Sequence, residues 1–120
     1  MKPAALLVHV PDVQIGLDWY KKAFPKGQCV FLEEFSLNVL DIDGFTLEII
    51  QSDAKVGAGK FGTVLYWSVP ILEEAIDRFA ALGARLYRGP MAIEFGLGMC
   101  QLEDPFGNLI GLRGKYKDSK

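Results

Sequence analysis

Glu103-Asp104-Pro105-Phe106-Gly107-Asn108-Leu109-Ile110-Gly111-Leu112 decides the fold. It is a turn that launches a strand. Pro105 and Gly107 fix the bend, and Asn108 tolerates the backbone angles of a tight turn. Leu109 to Leu112 then supply apolar strand residues. An earlier stretch follows the same scheme: Asp41-Ile42-Asp43-Gly44-Phe45-Thr46-Leu47-Glu48-Ile49. Both run from turn residues through a glycine into an apolar strand. Such a unit occurring twice in 120 residues points to a duplicated chain.

Working outward, the rest of the chain divides the same way. Ala4 to Val10 is an apolar run broken by His9 and predicts a buried strand. Pro11 ends it and Asp12 can cap a helix. Gly16, Trp19, Tyr20, Ala23 and Phe24 form one helical stripe, which Pro25 and Gly27 stop. Gln28 to Leu32, Phe35 to Asp41 and Phe45 to Gln51 read as strands, with Asp43-Gly44 as a hairpin turn. Ser52 to Gly62, with three glycines and no apolar period, is a linker or flexible loop. The pattern then restarts. Thr63 to Val69 is a strand ended by Pro70; Leu72, Ala75, Ile76, Phe79 and Leu82 make a second helical stripe, stopped by Gly83. Ala84 to Tyr87 is a short strand, Arg88 to Gly96 a loop, and Leu97 to Leu102 and Asn108 to Arg113 the last strands. Lys115 to Lys120 is a charged tail expected to fray.

The order is strand, helix, three strands, linker, and the same again. Val10-Pro11 ahead of the first helix returns as Val69-Pro70 ahead of the second, and Glu48 in the fourth strand corresponds to Gly111 in the eighth. The predicted fold class is α+β: two tandem βαβββ modules curling a mixed sheet into a cup, helices outside. Module 1 covers about 1–52, a linker 53–62, module 2 about 63–114, and the tail 115–120.

Composition narrows the function. Formal net charge is −2, which does not favour a nucleic-acid backbone or an anionic membrane surface. Half of the residues are hydrophobic and mean hydropathy is +0.18, high for a short chain, so part of the apolar surface is expected against a second subunit. Cys29 and Cys100 lie far apart in apolar runs and read as two buried free thiols. The first apolar run is too short for a signal peptide or a membrane span, and a cytoplasmic protein is expected.

The chain resembles the vicinal oxygen chelate superfamily, which includes glyoxalase I, extradiol dioxygenases, and bleomycin- and fosfomycin-resistance proteins. The resemblance is carried by Val10-Pro11-Asp12-Val13 with Trp19-Tyr20, by Thr46-Leu47-Glu48-Ile49, by Val69-Pro70 through Leu82-Gly83-Ala84, and by Glu103-Asp104-Pro105-Phe106-Gly107-Asn108-Leu109-Ile110. It implies paired βαβββ modules and a homodimer. Metal-using members hold a divalent ion at four strand positions. The resemblance puts these on Ala5, Glu48, Val64 and Gly111, so one carboxylate is kept of four ligands. Such an ion needs three or more oxygen or nitrogen donors. No metal and no cofactor are therefore expected.

Strand alternation puts Ala5, Leu7 and His9 on the face of Glu48, and Tyr66 and Arg113 on the equivalent face of module 2. Leu6, Val8, Val10, Leu47 and Ile49 fall on the opposite face, under a helix. The candidate ligand-binding residues are Glu48, His9, Tyr66, Arg113 and Leu7; none is assigned as catalytic or as a metal ligand. Glu48 interrupts an apolar strand, which is costly unless the carboxylate is solvated or bonded. It reads either as the wet end of a sheet face or as a ligand-binding carboxylate. His9 reads as a structural strand-end histidine or a general base, and Arg113 as a surface charge or a partner for an anionic ligand. Phe31, Phe35, Tyr66, Trp67 and Phe95 read as core or as an apolar slot. Gly57-Ala58-Gly59-Lys60 lacks the rest of a phosphate loop, and no nucleophile triad has recognisable spacing.

The reading is a metal-independent binding protein of the bleomycin-resistance type, sequestering or sensing a small organic ligand in an apolar cup. Two alternatives stay open. One is a metal-dependent lyase, isomerase or dioxygenase of the glyoxalase type using Glu48 and His9. The other is an interaction module with a vestigial cup.

Overall fold

The structure, a computed structural model, describes residues 1–117. The chain falls into two compact units, Met1–Ala58 and Gly59–Lys120. Unit 1 runs β1 (Ala5–Val10), α1 (Val13–Ala23), β2 (Gln28–Leu32), β3 (Leu37–Ile42) and β4 (Phe45–Gln51). Unit 2 runs β5 (Tyr66–Ile71), α2 (Leu72–Ala81), β6 (Arg85–Ala92), β7 (Leu97–Glu103) and β8 (Leu109–Lys115). The sheets have the orders β1-β4-β3-β2 and β5-β8-β7-β6. The first pair in each is parallel and the others antiparallel. Two tandem βαβββ modules of an α+β fold are therefore present.

In unit 1 the carboxylate of Asp12 accepts from the backbone N–H of Ile15 at 3.1 Å and starts α1. The helix lies against β4 and buries Gly16, Leu17, Tyr20 and Ala23. Trp19 and Phe24, expected on that stripe, are only half-buried, and Leu17 takes the place beside Gly16. Gly16 permits the close approach: a Cβ there would stand 2.8 Å from Val10 Cγ2 and 3.0 Å from Ile49 Cγ2. Val8, Val10, Leu40, Leu47 and Ile49 form the sheet side of this core.

Unit 2 packs Leu72, Ala75 and Phe79 of α2 in a core with Cys100, Leu102, Ile110 and Leu112. Several boundaries differ from expectation. β5 begins at Tyr66, not Thr63, and runs through Pro70 to Ile71. Pro70 fits because β5 is an edge strand whose register breaks between Ser68 and Ile71. Arg88 to Gly96 is not a loop; most of it continues β6 to Ala92. Gly89 (φ +81) and the cis Gly89-Pro90 bond lie at a register shift between Arg88 and Met91. Gly-Pro here marks a bulge in an edge strand, not the strand's end.

The expected frayed tail is also corrected in part. β8 extends through Lys115, Tyr116 N–H donates to Gly96 O at 3.2 Å, and Lys117 N–H donates to Glu73 Oε2 at 2.9 Å. Residues 118–120 lie outside the described ones. The connecting segment is anchored at its start: Ser52 N–H donates to Val10 O, and the Asp53 carboxylate accepts from Lys55 and Val56 N–H at 2.9 and 2.8 Å. Among the described residues no helix is long and apolar enough to cross a membrane.

The thiols are both free but only Cys100 is buried; Cys29 is exposed. β2 is an edge strand with little over it, so an apolar neighbourhood in sequence does not become burial. Burial raises the Cys100 thiol to about 11 from 9.0. Two results follow. At pH 8 a disulfide reagent should titrate one thiol rapidly in the native protein and the second only after unfolding; two fast thiols would contradict the packing. Below pH 9 both folded and unfolded Cys100 keep the proton and stability is intact. Between pH 9 and about 11 the unfolded state releases its proton first, so stability should fall, by about 2 kcal/mol. A Cys100→Ala variant should lack that component in urea unfolding across the same range.

Candidate functional site

Register settles which side chains share the open face in unit 1. Leu7 of β1 and Val39 of β3 are the direct neighbours of Glu48; Ala5 is opposite Thr46, and His9 opposite Ile50. The β1 residue beside Glu48 is therefore Leu7, two positions on from Ala5. Thr46 Oγ1 donates to Glu48 Oε2 at 2.8 Å. Thr46 and Glu48 are two apart on one strand, so their side chains point the same way, and the hydroxyl fixes the carboxylate's rotamer.

Glu48 opens into a cleft of about 400 Å³ that Val13, Phe35, Leu37, Ile50 and Gln51 also line. Phe35 comes from the short helical turn Glu33–Phe35 and is 68% exposed. The cleft thus has apolar walls and one acidic group, an arrangement that suits an organic ligand with an apolar body. His9 and Leu7 share the face of Glu48 but are not in the cleft lining. His9 instead has its electrostatic influence on Asp53, whose carboxyl is held below its ordinary value chiefly by the Val56 and Lys55 backbone N–H groups, and in lesser part by His9.

In unit 2, Tyr66 and Arg113 come together. Tyr66 is directly opposite Gly111, and Gly111 opposite Gln101. The Tyr66 ring lies on Gly111 so closely that a Cβ there would be 2.7 Å from ring carbons. Gln101 Nε2 donates to the Tyr66 hydroxyl oxygen at 2.8 Å. The Arg113 guanidinium lies over the ring, 4.7 Å from its centroid. Val64 precedes β5, so the β5 residue facing Gly111 is Tyr66.

A divalent ion does not fit these positions. Glu48 has Leu7 beside it, and Gly111 is covered by a phenol already engaged by Gln101. Among the described residues no three His, Cys, Asp or Glu side chains converge. Sequence reasoning missed Gln101, Leu37 and Val13. Gln101 had a signal, a polar residue between Cys100 and Leu102 on an alternating strand. Leu37 lies within the predicted strand Phe35 to Asp41 and Val13 follows the Asp12 cap, and neither carries a site signal of its own.

Phe31 and Phe95, considered for an apolar slot, are exposed, Phe95 at 91% on a left-handed turn.

Solved structures agree on the architecture. A glyoxalase-related enzyme from Fulvimarina pelagi superimposes with a TM-score of 0.75 at 17% identity, over 96% of this chain and 88% of that one. A glyoxalase/bleomycin resistance protein/dioxygenase family enzyme from Burkholderia phytofirmans PsJN gives 0.70 at 18%, over 92% and 96%. A glyoxalase/bleomycin resistance protein from Albidiferax ferrireducens T118 gives 0.69 at 20%, over 93% and 97%. The fold is that of the vicinal oxygen chelate superfamily. At these identities the vicinal oxygen chelate likeness is one of fold. No protein-family model and no curated protein matches the sequence.

Proposed function

We propose that the chain is a small-molecule binding protein of the bleomycin-resistance type that works without a metal. The observation that carries the reading is the Tyr66 ring over Gly111. Where the resemblance puts a metal-binding carboxylate, this protein has an aromatic ring held by Gln101 and Arg113. Binding an organic molecule needs only a concave apolar surface and a few placed polar groups. The Glu48 cleft supplies both. The same reading has the protein act as a homodimer in the cytoplasm. Large apolar side chains such as Phe35, Phe61 and Phe95 exposed on the single chain support the first part, and two free thiols suit a reducing compartment.

Metal analysis of protein purified without chelator tests the reading. Substoichiometric zinc, nickel, manganese and iron are expected, and one tightly bound ion per chain would overturn it. A metabolite and drug panel read by thermal unfolding tests the binding itself. A ligand at a hundredfold its Kd should stabilise the protein by about 2.7 kcal/mol, and Glu48→Gln should reduce that gain. A panel with no stabilising compound would favour an interaction module.

A further inference from the structure

The open face of the unit 2 sheet carries an unusual charge for an acidic chain. Leu109, Gly111, Arg113 and Lys115 alternate on β8, with Glu103, Gln101, Met99 and Leu97 opposite them on β7. β6 adds Arg85 opposite Glu103, Arg88 opposite Gln101 and Met91 opposite Met99. This face has four cationic side chains and one carboxylate, in a protein of net charge −2. Glu103 is already shared, at 3.3 Å each, by Lys60 and Arg85. Among the described residues Arg113 has no carboxylate partner, and its side chain is exposed.

Arg113 has an aromatic neighbour in place of a carboxylate. Its guanidinium lies over the Tyr66 ring, the ring lies against Gly111, and Gln101 holds the ring's hydroxyl. With the ring on one side of it, the guanidinium keeps its outward N–H donors available to a ligand. Ser68 is directly opposite Arg113 and is exposed, which puts a hydroxyl donor beside the fork. Met99 and Met91 follow in the same row, offering soft apolar surface that suits an aromatic or aliphatic body.

We propose that this face binds an organic carboxylate with an apolar or aromatic body, its carboxylate on Arg113 and Ser68 and its body along Met99 and Met91. The proposal rests on the small-molecule reading and adds to it a binding face in unit 2, built from residues other than those of the Glu48 cleft. A carboxylate is favoured because a planar guanidinium edge matches two coplanar oxygens.

The test uses the full chain with phenylbutyrate and, as its neutral isostere, phenylbutyramide, followed by calorimetry. The acid should bind saturably, with the amide about tenfold weaker or worse. Arg113→Gln should weaken the acid about tenfold and leave the amide unchanged, and Arg113→Lys, which keeps the charge and loses the fork, should fall between. Equal binding of acid and amide, an unchanged affinity in Arg113→Gln, or no saturation by the acid up to about 10 mM would each overturn the proposal. Tighter binding of phenyl phosphate than of the acid would overturn the carboxylate assignment. None of these outcomes alters metal content or the effect of Glu48→Gln, on which the broader reading depends.

Discussion

Asp104→Ala should lower the stability of the protein by about 3–5 kcal/mol, the loss of two hydrogen bonds to a charged acceptor. Asp104 is 3% exposed. Its Oδ1 accepts from the backbone N–H groups of Phe106 and Asn108, both at 2.8 Å. Asp104 N–H also donates to Asn108 O at 2.8 Å, and Gly107, at φ +94, closes the turn back onto Asp104 O. The carboxylate is thus the hub of the turn that feeds β8, the central strand paired with both β5 and β7. Alanine would leave two backbone donors without an acceptor in a part-buried turn. Asn keeps an oxygen in place and should cost about 1 kcal/mol, the ordinary worth of a neutral hydrogen bond against a charged one. Neighbouring Glu103 is a control: its pairs with Lys60 and Arg85 involve partly exposed side chains, and Glu103→Gln should cost under about 1 kcal/mol. Urea unfolding of the three variants checks the order. If Asp104→Ala unfolds within about 0.5 kcal/mol of Glu103→Gln, the turn does not hold the strand as described.

Local signals in this chain are decisive where one residue does one job. Asp43-Gly44 predicted a hairpin, and β4 follows at Phe45–Gln51 as expected; Asp43 and Gly44 both take positive φ there. Asp12 predicted a cap and is one. The alternation of Leu6 to Val10 predicted which face goes under the helix, and Val8 and Val10 are buried while Leu7 is half exposed. Such signals mislead where a residue's meaning depends on the neighbouring strand. Pro70 and Gly89-Pro90 are strand breakers in isolation, but on edge strands they are accommodated by register shifts. Cys29 and Phe31 look like core in sequence and are exposed because β2 is an edge. The face-sharing of Glu48, Leu7 and His9 was legible from period two alone. Their register was not, and it made Leu7 rather than Ala5 the neighbour of Glu48. A glycine cannot announce in sequence which ring will fill the space it leaves, so the cover on Gly111 was not legible at all.

That cover leaves no room for a side chain at Gly111. Gly111→Glu should destabilise the protein by about 3 kcal/mol or more, the range for forcing side-chain atoms into filled space. The backbone at Gly111 is ordinary strand, so the cost is not conformational; it comes from ring carbons 2.7–2.8 Å from where Cβ must go. To admit any side chain the ring has to swing away, and with it go the Gln101 hydrogen bond and the Arg113 stack. Gly111→Ala, carrying the same Cβ and nothing more, should already cost about 2 kcal/mol. In a Tyr66→Ala background the obstruction is absent, and Gly111→Ala should then be nearly neutral. The double-mutant cycle should give a coupling of about 2 kcal/mol, large for a single contact. Two additive single effects would mean that the ring does not occupy the position. The main support for a metal-independent site would then fall, because a carboxylate on the eighth strand would be excluded only by the accident of sequence and not by the packing around it.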